Sequence, residues 1–147
     1  MELSSIKYID PAQIADYKAD LFITTLGFET RSTVVARKFE NHSCRKIALA
    51  KKQVSKEFAY QENLSYFNDQ GFDIIQVESE HPDMDGILQS LSGDSLNLVI
   101  DFTNMSPLWY NEFFSWFHRE VGMEGKARLR TAYTMGGFVP KSGLRKI

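Results

Sequence analysis

The chain has 147 residues, a formal net charge of −2, and 43% hydrophobic against 24% charged residues, a balance that fits one globular domain. That charge gives no general pull towards DNA, RNA or an anionic membrane, and no apolar run is long enough to span a bilayer. The single cysteine, Cys44, excludes an internal disulfide and a cysteine-based zinc site, and the absence of a basic-then-apolar start argues against a secretory signal, so a cytoplasmic protein is expected.

Ile6-Lys7-Tyr8-Ile9 reads as a short strand, and Asp10-Pro11 as the cap and first residue of a brief helix carrying Ile14 and Tyr17, the alternative for this stretch being an edge strand plus a turn. Leu21 to Leu26 reads as a strand, nearly continuous in apolar and β-branched residues as in a strand covered on both faces. Gly27 breaks it. A helix then starts near Thr30, with Val35, Ala36 and Phe39 on one face. Ile47 to Ala50 forms the second strand, ending in Lys51-Lys52. Ser55 caps a helix bearing Phe58, Leu64 and Phe67 that stops at Gly71. Phe72 to Val77 is the third strand. Asp83 caps a helix in which Met84, Ile87, Leu88 and Leu91 share a stripe. Leu96 to Phe102 is the fourth strand, and Ser106-Pro107 opens a helix to about Glu120. Ala127 to Thr134 is the fifth strand; Arg128 and Arg130 alternate with Leu129, which suggests a wet face and an edge position. Residues 141–147 read as a basic tail outside the fold.

Strands alternating with helices predict a Rossmann-like three-layer α/β sandwich: a mainly parallel five-stranded sheet, order 3-2-1-4-5, with helices on both faces. In that order the connection reverses between the first and fourth strands, opening a crevice at their carboxyl ends. The first loop supplies Thr25, Gly27, Phe28, Glu29, Arg31 and Ser32. Gly27 permits close approach, Arg31 suits a phosphate, and the Glu29 carboxylate suits ribose hydroxyls or a cationic sugar-like centre. The plainer reading has Glu29 favouring a helix dipole and Arg31 solvated. The second loop follows Asp101 and supplies Thr103, Asn104 and Ser106, small donors and acceptors for a base edge, ribose or phosphate. The plainer reading makes Asp101 an acceptor for loop N–H groups and Ser106 a helix cap. Lys51 adds charge beside the first strand. Tyr133 and Thr134 end the fifth strand, and Tyr133 could stack on a base.

No cofactor motif is present. One glycine makes neither G-x-G-x-x-G nor a P-loop, the three histidines are scattered, and no nucleophile elbow exists. We expect neither metal nor cofactor. The last helix carries Leu108, Trp109, Tyr110, Phe113, Phe114, Trp116 and Phe117, more aromatic surface than one sheet face requires. We therefore expect part of residues 107–120 to form a homodimer contact.

The two loops resemble those of the CARF family, Rossmann-type domains that sense cyclic oligoadenylates in CRISPR-associated proteins. Thr24 to Gly27 is similar to that family's T-x-x-G loop, and Asp101, Thr103 and Asn104 to its strand-four end. Where that family carries glycine and lysine, this chain has Asn104-Met105-Ser106. The resemblance implies a stand-alone nucleotide-sensing or ligand-sequestering domain in antiviral defence, with an effector protein as partner. A second resemblance, to the TIR and nucleoside deoxyribosyltransferase groups, implies cleavage of a glycosidic bond, with Glu29 as nucleophile or charge stabiliser and Asp101 positioning the sugar. A third expectation is an assembly module of a larger complex, working through Trp109 and Trp116.

Overall fold

Leu21–Thr25 (β2) is buried at every position, and the whole sheet is arranged about it. A computed structural model describes residues 6–8, 11–51, 59–78, 82–83, 86–87, 96–121 and 127–134. Its strands are β1 (Ile6–Tyr8), β2, β3 (Arg45–Lys51), β4 (Asp73–Val77), β5 (Leu96–Asp101) and β6 (Ala127–Ala132). All pairings are parallel, in the order β1-β6-β5-β2-β3-β4. The five strands expected from the sequence, β2 to β6, therefore stand in the expected order 3-2-1-4-5, and the fold is Rossmann-like α/β. The short first run adds a sixth strand, pairing Ile6 to Tyr8 with Leu129 to Thr131. The fifth strand of the sequence reading is thus covered by β1 over these residues and is not the edge.

Period-two alternation sends side chains to two cores. On one face Leu21, Ile23, Ile47, Leu49, Leu98 and Ile100 meet α3 (Pro107–Trp116) and the following π-helical turn Phe117–Val121. On the other face Phe22, Ala48 and Val99 meet α1 (Val34–Lys38), α2 (Tyr60–Asp69) and the 3-10 turn Pro11–Asp16. There Phe22 stacks on Phe39 with ring centroids 4.4 Å apart. Gly71 ends α2 at φ +76°, a left-handed stop that glycine tolerates best.

The aromatic surplus of the last helix is absorbed by the first core. Trp109, Phe113, Trp116 and Phe117 are buried, and Tyr110 and Phe114 pack against them, leaving Leu108 as its large exposed apolar side chain. Asp83 does cap as expected, its Oδ1 accepting the Gly86 N–H at 3.0 Å, and Ile87 joins the core. Met84, Leu88 and Leu91 of that stripe lie outside the described residues, as do Lys52, Ser55, Phe58 and the tail from Met135. Among the described residues no helix is long and apolar enough to cross a membrane.

Candidate functional site

After β2 the chain crosses towards β3, whereas β5 returns on the opposite side of β2. This reversal is the topological switch point, where open parallel sheets bind ligands. Alternation decides which end residues share it. Leu21 and Ile23 face α3, so Thr25 does too; Ile47 and Leu49 face α3, so Lys51 follows them. The Lys51 ammonium accordingly lies 5.9 Å from the Trp109 ring centre. A cleft of about 300 Å³ opens here, with Trp109, Met105 and Leu26 in its wall. Thr25 lines it while only 6% exposed, and its hydroxyl has no hydrogen-bond partner among the described residues.

The first loop continues as the 3-10 turn Thr30–Thr33 ahead of α1. Glu29 stands at the cap of this turn but makes no side-chain capping bond. Its carboxylate instead accepts the Arg31 Nε–H at 2.8 Å, and both residues line the cleft. The Arg31 Nη1 donates to the Tyr133 hydroxyl at 3.2 Å and to the Thr134 carbonyl at 3.0 Å. Arg31 thus ties the first loop to the exit of β6. Gly27 holds the two loops together: a Cβ there would lie 2.9 Å from Ser32 Oγ and 3.3 Å from Asn104 Cβ. Asn104 Nδ2 donates to Ser32 Oγ across the same contact. The close approach that requires glycine is therefore one between protein loops, since φ at Gly27 is not in the left-handed region.

Asp101 lies beneath this arrangement. Alternation after Ile100 turns it away from α3, and it is 1% exposed. Its Oδ2 accepts from the Thr24 hydroxyl at 3.0 Å, and its Oδ1 accepts from the Thr103 N–H at 3.1 Å and from the Thr103 hydroxyl. The Thr103 hydroxyl in turn accepts the Thr134 N–H at 2.9 Å. Burial pushes the Asp101 carboxyl up to about 6, against the lowering effect of the Thr103 and Thr24 donors. Asp101 fixes Thr103 and does not line the cleft. Ser106 caps α3, accepting the Leu108 N–H at 3.2 Å, and also lines the cleft.

The structure therefore brings Thr25, Gly27, Phe28, Glu29, Arg31 and Lys51 together with Thr103, Asn104 and Ser106 around one cleft. Ser32 and Asp101 support its walls, and Tyr133 and Thr134 hold Arg31 from behind. Sequence reading missed Asn63. This α2 side chain is 4% exposed, and its Nδ2 donates to the carbonyls of Gly27 and Glu29, both at 2.9 Å. Its signal was available: Tyr60, Asn63 and Phe67 are the buried residues of α2, so an amide interrupts an apolar stripe and needs a partner. Compared with known protein-family models and with curated proteins, the chain matches none.

Proposed function

We propose that the chain is a binding module for a nucleotide-derived ligand held at the carboxyl ends of β2 and β5. The convergence of both switch-point loops on one small cleft carries this reading. Its chemistry is graded as a nucleotide requires. Trp109, Met105 and the exposed Phe28 offer apolar surface to a base. Asn104, Ser106 and the Glu29 carboxylate suit ribose hydroxyls, and Lys51 and Arg31 offer positive charge. About 300 Å³ lies at the small end of ligand sites and suits one nucleotide unit. In the defence setting that the family resemblance implies, occupancy of this cleft would be read by an effector partner.

A second reading rests on Glu29. Its side chain is 43% exposed, lines the cleft and is oriented by Arg31, so it could stabilise the positive charge that develops when a glycosidic bond breaks. Native mass spectrometry of the purified chain with nucleoside monophosphates, NAD and cyclic oligoadenylates separates the two. A retained, unaltered compound is the expected result. Conversion of the added compound that disappears in Glu29→Gln would replace the binding module with an enzyme. Neither adduct nor conversion would overturn both and leave a module whose cleft serves assembly.

A further inference from the structure

We infer that the inner end of the cleft is a phosphate subsite built by the Thr25 hydroxyl, the Lys51 ammonium and the backbone amides of the loop after β2, and that the ligand is a nucleoside monophosphate. This rests on the binding-module reading and narrows it. The first support is Thr25. A hydroxyl left without a partner at 6% exposure is costly unless something else satisfies it, and Thr25 is one of the residues lining the cleft.

The second support is charge. Among the described residues, the ionisable side chains lining the cleft are Glu29, Arg31 and Lys51. Glu29 and Arg31 pair at 2.8 Å. Lys51 meets the Trp109 ring and no carboxylate among the described residues, which leaves one net positive charge. Lys51 is also near Thr25. Thr25 pairs with Leu49, so Lys51 is the next residue of β3 on the same face.

The third support is the direction of the loop peptides. The carbonyls of Gly27 and Glu29 accept from Asn63, and that of Phe28 accepts the Ala59 N–H at 3.0 Å. Three successive carbonyls thus point to α2. In a trans peptide the N–H points opposite to the C=O, so the N–H groups of Glu29 and Thr30 turn away from α2. Successive amides aimed one way form an anion-binding concavity. The start of α3 adds only its dipole, because Ser106 already accepts the N–H groups of Leu108, Trp109 and Tyr110.

Isothermal titration of AMP, GMP, CMP and UMP against their nucleosides tests this, in the wild-type chain and in Thr25→Val, Lys51→Met and Arg31→Gln. At least one monophosphate should bind about tenfold or more tightly than its nucleoside. Thr25→Val and Lys51→Met should each weaken monophosphate binding more than nucleoside binding and so remove most of that ratio. Lys51 is exposed, so its variant folds even if the buried Thr25 variant does not. Equal affinity for nucleotide and nucleoside would overturn the phosphate subsite and leave the binding module standing. A ratio that survives Thr25→Val and Lys51→Met but vanishes in Arg31→Gln would also overturn it, placing the phosphate at the other cation. No binding by any monophosphate or nucleoside would overturn the inference, and tight binding of cyclic oligoadenylate alone would do so while keeping the broader reading.

Discussion

Asp101 is the residue at which the two loops depend on a single carboxyl group. Its ordinary value of 3.8 rises to about 6 in the fold because burial penalises the anion more than Thr24 and Thr103 stabilise it. The native state therefore holds this proton more tightly than the unfolded chain does. Between about pH 4 and pH 6 the native state binds more protons, so stability falls as pH rises through that window and levels off above it. A shift of this size corresponds to about 3 kcal/mol. Asp101→Asn keeps an oxygen for Thr103 and removes the buried charge. It should flatten the pH dependence between pH 4 and 6 and leave stability at pH 7 equal or higher. Asp101→Ala strands the Thr24 and Thr103 donors and should cost about 2–4 kcal/mol at pH 7. Urea unfolding at several pH values checks both; an Asn variant that retains the wild-type slope would show that another group titrates there.

At the scale of elements, α2 acts as a clamp on the first loop. Asn63 and Ala59 engage three consecutive loop carbonyls, so the loop takes its shape from a helix more than thirty residues along the chain. Asn63→Ala should lose about 1–3 kcal/mol of stability and, by loosening the amides, weaken ligand binding further than that loss alone explains. Asn63→Asp sets acceptors against two carbonyl oxygens and should be worse. Equilibrium unfolding together with ligand titration checks this pair; an Asn63→Ala chain with unchanged affinity would make α2 structural only. The same helix shows how far sequence reading reaches. The residues at the ends of β2 and β5 could be named because strand-loop-helix order places them at the switch point whatever the details. Asn63 could not be given a role, because its partners are main-chain carbonyls and any loop sequence supplies those. Asp101 was legible as an acceptor for loop N–H groups, but its separation from the cleft follows from strand phase, which only the positions of Ile100 and Thr24 reveal.

One edge of the sheet is built from parts distant in sequence, since β1 near one end of the chain pairs with β6 near the other. The order of β2 to β6 could be read from the alternation of strands and helices, because parallel neighbours need crossovers and crossovers bury the strands they cover. The edge could not. Arg128 and Arg130 alternate with Leu129, and that pattern reports a thinly covered face, where Arg130 lies 5.9 Å from the Tyr17 ring centre. It does not report whether a strand has a neighbour beyond it, and here it has one. A three-residue strand pairing across such a separation adds backbone hydrogen bonds and shields the outer edge of β6. Deleting residues 1–8 should therefore lower stability by about 2–4 kcal/mol and expose an edge that promotes association at high concentration. The cleft lies over the ends of β2 and β3 and the loop after β5, with β6 between it and the removed strand. Below the unfolding transition the shortened chain should accordingly bind ligand with nearly wild-type affinity. Urea unfolding, sedimentation velocity and ligand titration on the same sample check the three parts. Affinity that falls along with stability would mean that Arg31, through Tyr133 and Thr134, carries strain from the outer edge of the sheet to the first loop.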